Sequence, residues 1–254
     1  MKKGIWMVVI LCLCLTGCSG NKPVSRQSPR TAMKSAMESL KVLDLDAFND
    51  CTDNLVSEER NWLGFTTVKE YRVFNEISQP GLIKGEKYHA DREFAEEIVE
   101  NLSWKIKDVN QDGDRAKLDL SITNRDMTDV MGNYMIHVME TMIASDDTGL
   151  KQMIEDLAGI EDDKDGMLPY LQAAEGKKTI DVTVTAQKGD EGWRIHVSEA
   201  FINAFMGNLD AEHYSKEVEL RLEELEDQYE AKMEQWGDDM GDKIEGWMEN
   251  LFGE

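Results

Sequence analysis

Cysteine is scarce in these 254 residues and unevenly placed: three of the four fall at positions 12, 14 and 18, so the rest of the chain holds Cys51 alone. A disulfide framework is thereby excluded, and stability has to come from a hydrophobic core. Histidine is as sparse. His89, His137, His196 and His213 show no His-x-x-x-His or comparable pairing, so no zinc site is indicated. There is no glycine-rich phosphate loop, no Gly-x-Ser-x-Gly elbow and no Cys-His motif near a strand end, which removes common signatures of nucleotide binding and nucleophilic hydrolysis. Positive charge is in deficit: 28 Lys and Arg against 51 Asp and Glu give −23 at neutral pH. Such a field repels nucleic acid and anionic lipid headgroups. Charged partners are expected to be cationic peptides, basic cell-wall components or divalent metal ions, and the blander reading is that acidity keeps the protein soluble. After residue 15 no apolar run is long enough to cross a bilayer.

What is present begins at the N-terminus. Lys2 and Lys3 precede an apolar run, Ile5 to Leu15, which closes on Leu15-Thr16-Gly17-Cys18. A charged start, a short apolar stretch and small residues before a cut describe a secretory signal, too short for a permanent span. The stretch closely resembles a bacterial lipoprotein signal with its terminal lipobox. That resemblance implies cleavage after residue 17, a diacylglyceryl thioether on Cys18, and an acylated new N-terminus. Two or more chains anchor stably where one binds reversibly. An ordinary secretory signal with Cys18 beside the cut is the alternative. Removing residues 1–17 takes away Lys2 and Lys3 and brings the charge from −23 to −25. The expected organisation is a signal peptide at 1–17, a lipidated Cys18 with a polar tether to residue 28, a domain over 29–207 and an acidic helix over 208–254. The expected location is the extracytoplasmic face of the cell membrane.

Ser28-Pro29 offers an N-cap with proline in the first turn. Met33, Ala36, Met37, Leu40 and Leu43 follow on one helical face, and a second short helix is expected around Ala47, Phe48 and Cys51. The spacing of Leu63, Val68, Tyr71, Phe74 and Ile77 predicts a helix over 57–77, and Phe94, Ile98 and Leu102 another over 90–102. The period then changes. Trp104, Ile106 and Val109 lead to Asn110-Gln111-Asp112-Gly113-Asp114, after which Ala116, Leu118, Leu120 and Ile122 alternate, a hairpin signal. A helix over 128–143, an acidic loop-rich insertion over about 145–177, a second hairpin from Ile180 to Val197 and a short helix over 200–206 complete the domain. Helices followed by antiparallel pairs indicate an α+β fold in which a curved sheet wraps helices.

The helix with Leu43-Asp44-Leu45-Asp46, the hairpin Trp104-Lys105-Ile106 … Asp112-Gly113-Asp114 … Ala116, the phrase Ile122-Thr123-Asn124-Arg125-Asp126-Met127 and the run Gly192-Trp193-Arg194-Ile195 resemble small lipoproteins of Gram-positive bacteria. Those are assigned to the nuclear-transport-factor-2-like superfamily, whose members form an α+β cone. The resemblance covers 29–207 and implies a cone-like fold. Some members isomerise or dehydrate small molecules with a carboxylate and a tyrosine inside an apolar cone, for which Asp126 and Tyr134 are the candidates here. Eight residues leave those two about 80° apart on a helix, so no catalytic residue is assigned.

After residue 210 the apolar residues Val218, Leu222, Leu225, Tyr229, Met233, Trp236, Met240, Ile244, Trp247 and Leu251 follow an eleven-residue repeat, a stripe that stays nearly straight along a helix. Sixteen acids against four bases put −12 on 210–254. The stripe over 218–251 can cover its own domain, pair with a copy or a protein partner, or lie on a membrane surface. The last is disfavoured, since surface helices are generally rich in Lys and Arg. Asp108-x-Asn110-x-Asp112-Gly113-Asp114 with Asp119 matches calcium-loop spacing, but the final ligand is Asp and the flanks read as strands. The hairpin reading is therefore preferred, and no metal or cofactor is assigned. Cys51 is read as a small buried apolar residue. The functional expectation is a non-enzymatic, surface-tethered module binding a small ligand or partner. The alternatives are an assembly role for the C-terminal helix and an enzyme in the cone.

Overall fold

The computed structural model describes residues 26–60, 66–78, 85–144 and 163–252, with side chains through residue 234 except those of Thr67 and Glu86. Among them are eight helices and two antiparallel sheets, an α+β arrangement. Helix α1 (Pro29–Lys41) starts as expected: the Ser28 hydroxyl accepts from Thr31 N at 3.2 Å, and the Thr31 hydroxyl accepts from Ser28 N at 2.9 Å. Its inner face, Ala32, Met33, Ala36, Met37 and Leu40, is fully buried. Asp44 caps α2 (Leu45–Cys51), which buries Phe48 and Cys51.

The predicted helix over 57–77 is corrected. Residues Leu55–Arg60 (β1) and Thr66–Tyr71 (β2) form an antiparallel pair, and only Asn75–Ser78 is helical (α3). The three-residue spacing of Val68, Tyr71 and Phe74 imitates a helix. Thr66 and Val68 are β-branched and stiff at χ1, and cross-strand polar pairs such as Ser57–Glu70 at 2.9 Å reward the extended form. Leu63 lies outside the described residues. At the base, buried Asn54 accepts from Val73 N at 3.0 Å and donates to Val73 O at 3.2 Å, continuing the pairing with a side chain.

Helix α4 (Glu86–Glu100) begins a turn earlier than expected. Strands β3 (Ser103–Asp112) and β4 (Arg115–Arg125) are the predicted hairpin, and Gly113 supplies the positive φ of its two-residue turn. Helix α5 (Val130–Ala144) follows. Within the expected loop-rich insertion, Lys164–Ala173 is instead a helix, α6, capped by Asp163; residues 145–162 lie outside the described residues. Strands β5 (Lys177–Gly189) and β6 (Gly192–Ile195), then α7 (Glu199–Phe205) and α8 (Lys216–Phe252), complete the chain. The main sheet runs β3-β4-β5-β6, with α1, α2 and α7 packed on one face. Leu118, Leu120, Ile122, Val184 and Ile195 of that face meet Met33, Met37, Leu40, Phe48, Phe201 and Phe205, each burial worth about 1.5–3 kcal/mol.

The strand end Asn124-Arg125 ties the layers together. Asn124, fully buried, donates to Ile98 O at 2.8 Å and Phe205 O at 2.6 Å, satisfying last-turn carbonyls of α4 and α7. Arg125 donates to Leu171 O of α6 at 2.7 Å and pairs with Glu97 and Glu100. Lys41 caps Val99 and Glu100, and Lys232 of α8 caps Met142 and Ile143 of α5. Four helices thus end on side chains from elsewhere in the fold.

Candidate functional site

Two concavities stand out. The first lies at the helical end, where the β2–α3 corner meets α4, α5, α6 and α7. Its volume is about 370 Å³, and Phe74, Met131, Met167, Ile202, Met206 and Leu209 make it largely apolar. Arg72, Glu76, Lys87 and Lys164 ring the opening. Lys87 pairs with Glu76 at 3.5 Å, Arg72 with Asp53 at 3.9 Å, and the Lys164 ammonium sits 5.2 Å above the Phe94 ring. Phe74 has φ +56°, a left-handed conformation costing a bulky residue roughly 1–2 kcal/mol. The Asn54–Val73 fork next to it and the ring contact with Phe205 at 6.3 Å hold it there. Flexible methionines around an apolar pocket adapt to ligands of varied shape.

The second is a trough of about 820 Å³ where one end of the sheet's polar face meets the α2–β1 junction. Strand alternation that buries Leu118 and Leu120 turns Arg115, Lys117 and Asp119 outward. Register aligns Asp112, Arg115, Gln187 and Arg194 in one row across four strands, and Asn110, Lys117 and Thr185 in the next, with His196 bonding Thr185 through its backbone. His196 is exposed. Its Nδ1 lies 2.6 Å from Asp53 Oδ2, while Asp53 Oδ1 accepts from Val197 N at 2.7 Å. Further along the face, a bulge at Lys107 lets its ammonium reach Asp181 at 2.6 Å. That hydrogen bond, joined by one from Ser121, holds the Asp181 carboxyl below the usual range.

The residues singled out by the superfamily resemblance engage different partners. Asp126 accepts from Thr128 N at 3.1 Å and lies 4.0 Å from Lys178, whereas the buried Tyr134 hydroxyl donates to Asp163. Asp108 and Asp119 face each other across the β3–β4 ladder, and no group of three potential ligands forms among the described residues. Asp163 of the acidic cluster is a helix cap. Cys51 is buried, and burial pushes its thiol up to about 11. Cys18 lies outside the described residues. Val218 and Leu225 of α8 are buried, and the helix packs on α5 through Val218 against Gly132 and an Arg221–Glu140 pair at 2.5 Å. Neither concavity was legible in the sequence, since each is assembled from residues more than 80 positions apart.

Compared with known proteins, the chain matches no family model, no curated protein and no solved structure.

Proposed function

We propose that this chain is a lipid-anchored, extracytoplasmic binding module, held to the membrane by Cys18 and taking a small ligand in the helical-end pocket. The lipobox and tether support the anchor, and the resemblance to Gram-positive lipoproteins supports a cone-like reading of the α+β body. The observation that carries the ligand reading is the methionine-lined pocket with Phe74 held left-handed at its wall. Its volume falls in the range of small-molecule sites, about 300–1,000 Å³. Strain of that kind persists where surrounding structure imposes it, often at ligand clamps. Three cations, Arg72, Lys87 and Lys164, against two acids, Glu76 and Asp91, in the lining favour a ligand with an apolar body and an acidic group. Asp126 and Tyr134 engage different partners, so binding is preferred to catalysis.

The test is titration of the mature chain with anilinonaphthalene sulfonate, an apolar probe bearing an acid. One saturable site is expected, abolished by Met131→Trp and by Ile202→Trp, both of which fill the pocket. Unchanged binding in both variants would overturn the pocket reading.

A second reading has its own support. Helix α5 is about 22 Å long and α8 about 55 Å, so α8 outruns its packing partner by more than half its length. The acidic amphipathic stripe over 218–251 is in this reading a docking helix for a protein partner beyond Lys232. Light scattering of the mature chain with and without residues 235–254 tests self-pairing: an unchanged monomer in both excludes it.

A further inference from the structure

We infer that the trough on the polar face of the sheet is a binding site for a ligand carrying at least two anionic groups, such as a short polyphosphate chain. The inference is independent of the helical-end pocket. In a chain where acids outnumber bases nearly two to one, a surface cation should find a carboxylate. The side chains of Arg115 and Lys117 make no hydrogen bond and no ion pair among the described residues, although they stand two positions apart on one strand. Neighbouring cations on one face repel each other, and a bound anion relieves that cost.

The nearby acids are largely engaged elsewhere. Asp53 holds His196, Val197 N and Arg72; Glu191 takes Arg194 at 3.3 Å and Arg26 at 3.5 Å; Asp114 lies 4.0 Å from Lys188. Asp119 accepts from Thr183 at 2.6 Å. Asp112, paired in register with Arg115, and Asp108 are the acids that oppose an anion most directly. They limit affinity and favour a ligand long enough to bridge the cations.

Strand geometry sets the spacing. Residues two apart on a strand are roughly 7 Å apart, and positions two strands away roughly 10 Å. Arg115 and Lys117 therefore form one edge of a rectangle whose opposite edge is Arg194 and His196. Thr185 and Gln187 lie between them with hydroxyl and amide groups for ligand oxygens. Because Asp53 occupies His196 Nδ1, the other ring nitrogen is the one available to a ligand. Charge farther away than a Debye length, about 8 Å at physiological ionic strength, is screened, so the groups lining the trough weigh most in binding.

The experiment is calorimetric titration of the mature chain, with Cys18→Ser in place of the lipid, using short-chain polyphosphate and, separately, inorganic phosphate. Polyphosphate should bind at one saturable site, weaken with added salt, and outcompete inorganic phosphate. Arg115→Ala and Lys117→Ala should each weaken it about tenfold. Lys216→Ala, an exposed cation on α8, should leave it unchanged. Arg115, Lys117 and Lys216 are all exposed at the surface, and circular dichroism confirms folding. Absence of polyphosphate binding, equal loss from Lys216→Ala, or preference for single-stranded nucleic acid over polyphosphate would overturn the inference. Anilinonaphthalene sulfonate binding in the same variants keeps the two sites apart: it should persist in Arg115→Ala.

Discussion

Replacing Asn124 by alanine removes one amide and strands the ends of two helices. The side chain is fully buried, and its Nδ2 group serves Ile98 O at 2.8 Å and Phe205 O at 2.6 Å, while Oδ1 accepts from Arg125 N at 2.8 Å. A buried polar group left unsatisfied costs about 1–3 kcal/mol, so two carbonyls and an N–H together give roughly 3–5 kcal/mol after partial relaxation. At about 2–4 °C per kcal/mol for a domain of this size, the thermal midpoint should fall by roughly 6–20 °C. Asn124→Asp keeps the acceptor but turns a carboxylate toward two carbonyls, and should be at least as damaging. Thr123→Ala, which loses only a hydroxyl contact to Thr179 at 2.7 Å, is the control and should cost under about 1 kcal/mol. Thermal unfolding gives the midpoints, and hydrogen exchange should show early opening at the C-terminal turns of α4 and α7. A fall of less than about 2 °C, near 1 kcal/mol or below, would refute the capping argument.

Other consequences follow from local geometry. Gly207 has φ +65°, and a Cβ there would lie 2.2 Å from Arg125 O, so Gly207→Ala should destabilise by more than about 2 kcal/mol in denaturant titration. Lys232→Ala leaves the last carbonyls of α5 without their ammonium donor; a loss of about 1 kcal/mol and faster exchange in the final turn of α5 are expected. The Cys51 thiol is raised from 9.0 to about 11, so the folded state holds its proton where the unfolded state has lost it. Its contribution is complete below pH 9 and declines as pH rises from 9 toward 11; Cys51→Ala should remove that decline in urea unfolding, and iodoacetamide should not label the native thiol at pH 8.

The elements legible in the sequence are those whose signal is local. Ser28-Pro29 and the Met33–Leu40 face specify α1 without help, and strict alternation around Gly113 specifies β3 and β4. The β1–β2 pair was misread because helical spacing can arise by accident in a strand whose outer residues are long and polar. The role of Asn124-Arg125 is invisible at that level: its partners lie 26, 81 and 46 positions away, and an Asn in a strand reads only as an unfavourable residue. The two concavities are hidden for the same reason. Alternation says which side of β4 Arg115 and Lys117 occupy, but only register shows that Gln187, Thr185, Arg194 and His196 lie beside them. Net charge was a poor guide to that face, because an average of −23 says nothing about where the cations gather.

Everything proposed about where this module works depends on the lipid attached to Cys18. Peptide mass spectrometry of protein extracted from the membranes of its native host tests this directly. The predicted N-terminal peptide begins at Cys18 and carries a diacylglycerol on sulfur; a peptide retaining residues 1–17, or one with an unmodified Cys18 thiol, would contradict it.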